Sequence, residues 1–169
     1  MNIVIMGTGG VGGYFGAKLA NAGNNVCFIA RGKHLEAIKN NGLKIISETG
    51  DILIHPANVT DNPEELEIAD IILFCVKAYD TEASAKLIKP IVGPKTTVIP
   101  FLNGLGHIEI MKNILGNNNV IGGVAAISAL IEEPGIIRHN SPMQMLKFGE
   151  FSNEKTERVI AFQSACEKA

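Results

Sequence analysis

Residues 1–31 constrain this chain more than any other stretch. Asn2–Met6 (NIVIM) is a short apolar run rich in β-formers. Gly7-Thr8-Gly9-Gly10-Val11-Gly12 follows, and then Tyr14–Ala22 (YFGAKLANA), which reads as a helix that stops at Gly23. A second apolar run, Val26–Ala30, ends at Arg31. Strand, glycine turn, helix and strand within about thirty residues is the layout of a dinucleotide-binding βαβ unit. Gly7 lets the chain turn sharply off the strand, and Gly9 lacks the Cβ that would keep its backbone away from a pyrophosphate. Gly12 and Gly16 let the helix lie close to the sheet. The free N–H groups and positive dipole end of that helix then face the phosphates. A tight βα loop that binds nothing would also be glycine-rich, but here the strand and helix that the motif needs flank it on both sides.

The end of the second strand bears on the cofactor. Sites for NAD usually place Asp or Glu about twenty residues after the glycines, to hold the ribose 2′-hydroxyl. Here the strand ends Ile29-Ala30-Arg31-Gly32-Lys33, with no acid. A cation at that point suits the 2′-phosphate of NADP; the alternative is an ordinary solvated arginine at a strand end.

A length of 169 residues is enough for one domain with a sizeable core. The 46% hydrophobic content fits a buried sheet. A net charge of −2 without a basic stretch gives no sign of nucleic-acid binding. No run of about eighteen apolar residues suggests a membrane span, and the first strand begins at once, without a charged leader. Cys27, Cys75 and Cys166 are scattered, with no metal or redox spacing, which points to a cytoplasmic protein. His34, His55, His107 and His139 show no metal-ligand spacing either, and His139 reads as a surface hairpin residue.

Further along, Lys33–Asn41 reads as an amphipathic helix closed by Gly42, with Leu35 and Ile38 inward. Leu43–Ser47 and Ile52–His55 read as a hairpin extending the edge of the sheet. Asn58–Glu67 is polar, with a helical turn at Pro63–Leu66. Asp70–Val76 (DIILFCV) is a continuous apolar run, as in a central parallel strand buried on both faces. It ends at Lys77, and Asp80 is placed to cap a helix over Thr81–Ile88. Thr96–Leu102 is the next strand, with Pro100 as an objection, since proline cannot donate to a ladder. A helix over Ile108–Leu115, a strand in Val120–Leu130, late antiparallel strands at Ile136–Asn140 and Met145–Phe148, and a helix from Glu154 to Ala169 complete the pattern. Alternation of this kind predicts an α/β, doubly wound, mostly parallel sheet with ligands beyond the carboxyl ends of its strands. That rule selects Gly7–Gly12, Lys77 and Asn103–Gly106. By spacing alone, Lys77 is either a group facing the crevice or a lysine capping the sheet. Asn103 is either a ligand contact or part of an Asn-Gly turn.

At these residues the chain resembles the ketopantoate reductase (2-dehydropantoate 2-reductase) family, in its N-terminal domain. The matching pieces are GTGGVGG (Gly7–Gly13), Arg31, VKAYD (Val76–Asp80), LNGLG (Leu102–Gly106) and GGVAAISA (Gly122–Ala129), followed by PGIIRHN and LKFGE. The combination is far more specific than the glycine motif alone. The resemblance implies NADPH-dependent reduction of a small 2-keto acid, 2-dehydropantoate, to pantoate on the route to pantothenate. It implies that Gly7, Thr8, Gly9, Gly10, Val11 and Gly12 hold the pyrophosphate and Arg31 the 2′-phosphate. Lys77 and Asn103 would act beside the nicotinamide and substrate, and Ala129 would line the nicotinamide pocket through its backbone. In this family a helical second domain supplies the lysine that protonates the developing alkoxide. Lys168 fits no part of that motif, so residues 1–169 read as the cofactor domain alone. The competing readings are a related two-domain dehydrogenase for another hydroxy acid, and a nucleotide-sensing module without catalysis. Groups at the nicotinamide end disfavour the latter. Neither the exact substrate nor an oligomeric state is readable from these residues.

Overall fold

A computed structural model describes all residues 1–169. The first strand, β1 (Asn2–Met6), is the middle strand of a five-stranded sheet. The other strands of that sheet are β2 (Asn25–Ile29), β5 (Asn58–Thr60), β6 (Ile71–Phe74) and β7 (Thr97–Pro100), in the order β5-β2-β1-β6-β7, with every pair parallel. Alternate side chains of β1 serve opposite cores, as the twofold period of a strand requires. Ile3 and Ile5 join a cluster of 22 buried residues with helix α1 (Gly10–Asn21). Val4 and Met6 belong to a cluster of 13 buried residues on the far side, with α3 (Thr81–Ile88) and α4 (His107–Leu115). Helices therefore cover both faces, and the expected doubly wound architecture is present.

A second sheet was not foreseen as such. Strands β3 (Leu43–Ser47), β4 (Ile52–Ile54), β8 (Gly122–Glu133) and β9 (Ile136–Gly149) form a four-stranded sheet in the order β4-β3-β9-β8. The predicted hairpin is real, but it does not extend the parallel sheet. It joins this second one through a parallel pairing of β3 with β9. The two expected late strands are one continuous β9, antiparallel to β8. Their ladder is broken where Ile127 faces Gln144 and Ala129 faces His139, so Ser128 lies opposite Asn140–Met143. Pro142, which has no N–H to give, falls in that outlooped stretch.

Helix α1 lies between the two sheets, and it begins at Gly10, four residues earlier than its sequence suggests. A Cβ on Gly12 would approach Gly7 O to 2.2 Å and one on Gly16 would approach Phe28 Cε1 to 2.6 Å, both on the parallel-sheet side. On the other side, a Cβ on Gly10 would lie 2.1 Å from Ala129 O on β8, and one on Gly13 would lie 2.8 Å from Ile137 Cγ1 on β9. The i,i+4 and i,i+3 spacings put these two glycine pairs on different faces of one helix.

Helix α2 (Gly32–Asn41) buries Ile38, and its end at Gly42 is as expected. Strand β5 falls in the polar stretch where no strand was expected; only Val59 in it is buried. Pro100 ends β7 on an outer strand. Thr97 and Phe101 donate their N–H groups toward β6, whereas Val98 donates the other way, to Asn119 O. Pro100 shares the parity of Val98, so no bond to β6 is lost. Helix α5 (Glu157–Glu167) packs Val159, Phe162 and Ala165 into the larger core. Arg158 holds it to the end of β9 through paired bonds to Glu150, Nε–Oε1 at 2.6 Å and Nη2–Oε2 at 2.7 Å. No helix is long and apolar enough to cross a membrane.

Candidate functional site

The carboxyl ends of β1, β2 and β6 open into one cleft of about 580 Å³. Gly7, at φ +95°, turns the chain off β1; a Cβ there would sit 3.0 Å from Cys75 O at the exit of β6. Thr8 is buried and donates both its N–H (3.2 Å) and its Oγ1–H (2.9 Å) to Ile29 O at the end of β2. Gly9 caps α1, and a Cβ on it would meet no atom within 4 Å. The turn is thus clamped at Thr8 and clear at Gly9. No side chain caps α1, so the N–H groups of its first turn, Gly10 to Gly12, have no side-chain acceptor at the place where a phosphate would fit.

His34, which the sequence reading left without a role, anchors the clamp. Gly135 N–H donates to its Nδ1 at 3.0 Å, so the ring proton is on Nε2, which donates to Thr8 O at 2.8 Å. Burial holds the His34 pKa below its ordinary value, partly countered by the bond to Thr8. One side chain therefore ties the glycine turn to the β8–β9 hairpin. Its position two residues into α2, just after Arg31, was the available signal.

Arg31 and Lys77 both line the cleft, as strand-end reasoning expects, and both are exposed. Asp80 stands at the N-cap position of α3, but its side chain makes no cap bond. A 3₁₀ turn over Ala78–Asp80 leads into the helix instead, and the Asp80 carboxylate lies 3.6 Å from the Arg31 guanidinium. Asp61 also lines the cleft, carried there by β5, whose Thr60 pairs with Ile29. It was invisible to sequence reasoning because the short strand before it was.

Asn103 is exposed in the turn after β7 and does not line this cleft. Ala129 is half-buried and also outside it; its carbonyl presses on Gly10 instead. Ile131, farther along β8, reaches the cleft wall. Gly10, Val11 and Gly12 belong to the first turn of α1. Cys75 is in the cleft lining, and burial pushes its thiol far above the usual range. His139 is buried, not a surface residue: its ring nitrogens meet Ser47 Oγ at 2.9 Å and Met143 O at 3.1 Å, remote in sequence from one another.

The residues present fit a dinucleotide: a clear glycine turn at a helix N-terminus, a cation at one wall and a second cation at another. Comparison with known proteins bears on the family. The chain is 34% identical over 165 residues to an uncharacterized oxidoreductase, YkpB, of Bacillus subtilis, covering 98% of this chain and 54% of that one. It is 33% identical to a 2-dehydropantoate 2-reductase of Mesorhizobium japonicum, covering 100% and 58%. The crystal structure of 2-dehydropantoate 2-reductase from Geobacter metallireducens superposes with a TM-score of 0.92 at 32% identity, covering 99% of this chain and 55% of that one. The chain thus spans little more than half the length of these relatives. The sequence profile of ketopantoate reductase PanE/ApbA matches residues 3–153. With that profile matched from β1 to beyond β9, and the fold shared throughout, the chain belongs to the ketopantoate reductase PanE/ApbA family.

Proposed function

We propose that residues 1–169 are the cofactor-binding part of an NADPH-dependent oxidoreductase that reduces 2-dehydropantoate to pantoate. The observation that carries this reading is the cleft at the carboxyl edge, with the Gly7–Gly9 turn in its floor and Arg31 and Lys77 on its walls. Gly9 leaves room for the pyrophosphate, the first turn of α1 offers N–H donors to it, and Arg31 offers a charge to the 2′-phosphate. When bound, NADPH supplies the hydride that a ketone needs. Lys77 attracts the substrate's carboxylate and donates a hydrogen bond to an oxygen beside the reacting carbon. Asn103 can donate and accept at the same end of the sheet. The proton for the alkoxide comes from a helical domain outside these residues, as the greater length of the relatives allows. All three cysteines are free thiols, which fits a cytoplasmic location.

The experiment is NADPH oxidation with 2-dehydropantoate, measured on residues 1–169 and on the same chain extended through the following helical domain. The short chain should bind NADPH but turn over at least about 100-fold more slowly, since general acid catalysis alone contributes about 10²–10⁴-fold. Equal rates would show the chemistry complete within these residues. An extended enzyme active only on other 2-keto acids would favour a different hydroxy-acid dehydrogenase.

A further inference from the structure

The strand order β2-β1-β6 sets the loops after β2 and β6 on either side of the glycine turn. Arg31 is on the first loop and Asp80 on the second, and their side chains meet over the exit of β1 at 3.6 Å. That contact joins Arg31 Nη2 to Asp80 Oδ2 only, and it is longer than a hydrogen bond. The Arg31 side chain is 82% exposed and that of Asp80 is 33% exposed. A single long contact with a guanidinium this free does not fix the arginine's direction; it supplies opposing charge. The Asp80 carboxylate makes no cap bond to α3.

From this geometry we propose that Asp80 sets how strongly the cleft selects the 2′-phosphate of NADP over the 2′-hydroxyl of NAD. The inference rests on the dinucleotide reading above. A 2′-phosphate reaching Arg31 must lie near a carboxylate of the same sign, which already offsets part of the arginine's charge. A ribose 2′-hydroxyl meets no such repulsion, and the carboxylate can accept a hydrogen bond from it, the task that an acid at the end of β2 performs in NAD sites. The acid missing from the end of β2 is thus replaced by one from across the cleft, and Arg31 and Asp80 form a counterbalanced pair. The second carboxylate of the cleft, Asp61, has no recorded contact with Arg31 and serves as the internal control.

The test is calorimetric affinity for NADP⁺ and NAD⁺ on the wild-type chain, D80N, D80E, D61N and R31A, at low and high salt. D80N should raise the NADP⁺-to-NAD⁺ affinity ratio by about 3- to 10-fold, the size expected for removing one screened like charge a few ångströms from a phosphate. D80E should keep the wild-type ratio. The D80N gain should shrink in high salt, and R31A alone should lower the ratio. Asparagine is as good an N-cap as aspartate, so α3 should persist, and an unchanged melting temperature checks this. An unchanged or lower ratio in D80N would overturn the proposal, because Asp80 would then be supporting Arg31. An equal gain from D61N would overturn it as well, leaving only a general effect of charge. If the wild-type chain binds neither dinucleotide, the cofactor reading itself fails and this inference falls with it.

Discussion

A Cβ added to Gly9 would meet nothing within 4 Å, whereas one added to Gly10 would lie 2.1 Å from the carbonyl oxygen of Ala129. The two residues are adjacent in one motif, but they border different regions. Gly9 opens on the cleft, and its empty surroundings matter only to a ligand. Gly10 begins the helix that is pressed between the two sheets, and its crowding matters to the fold. Gly12, Gly13 and Gly16 continue the second pattern, each with a protein atom closer than 3.0 Å to its notional Cβ. The motif is therefore two devices in series, a mouth kept clear for phosphate and a helix narrow enough to be packed from both sides. Substitution should separate them.

The largest effect is expected at Gly10. In Gly10→Ala the new methyl meets backbone on β8, which no rotamer change can relieve. Helix and sheet must move apart, at a cost of about 3 kcal/mol or more. Urea unfolding should show a lower midpoint at constant slope. A midpoint equal to wild type would mean that α1 and β8 are not packed as described. Gly9→Val should do the reverse. Its backbone, at φ −82° and ψ −162°, is extended and open to any residue, so stability should hold. The branched side chain fills the mouth, and NADPH affinity should fall at least about 100-fold, equivalent to about 2.7 kcal/mol. Normal binding by Gly9→Val would move the cofactor elsewhere.

How much of this was legible in the sequence follows the same division. Gly7, Arg31 and Lys77 are strand-end residues, and finding a strand end needs only local patterning. Lys77 and Arg31 accordingly line the cleft that the carboxyl-edge rule selects. The helical start at Gly10 was missed because glycine is a poor helix former; what overrides it is compression between sheets whose strands are over a hundred residues apart. Strand β5 is three residues long with one buried side chain, too short for periodicity to register. The pairing of β3 with β9 joins Ser47 to His139 across 92 residues, which no local pattern encodes. The same pairing explains why His139 is internal. Asp80 was read as a helix cap, a local role, whereas its contact depends on which strands flank β1.

His34 links the two regions, so its removal sharpens the comparison. His34→Ala leaves Thr8 O without its donor and Gly135 N–H without its acceptor. Two neutral hydrogen bonds of this kind are worth about 1–2 kcal/mol together, less if water fills the gap. Because Thr8 is also held by Ile29, the turn should persist and dinucleotide affinity should drop only a few-fold. Loss of binding as complete as in Gly9→Val would show that His34 contacts the ligand directly.

The smallest effect is the pH dependence that His34 brings. Both ring nitrogens are committed in the neutral form, Nδ1 as acceptor and Nε2 as donor. Protonating Nδ1 would set it against the N–H of Gly135. Burial favours the neutral ring for a separate reason, and the pKa is lowered from 6.5. The unfolded chain therefore takes up a proton first as pH falls. Stability from this group is complete above about pH 6.5 and is lost as pH falls toward the folded-state value, with a slope of at most about 1.4 kcal/mol per pH unit for one proton. His107, also lowered by burial, acts in the same direction, so the measurement must be a difference. Unfolding free energies of wild type and His34→Gln should run parallel above about pH 7 and converge below about pH 6. Parallel curves throughout the acid range would show that His34 is not held neutral, and that the clamp on the glycine turn survives its protonation.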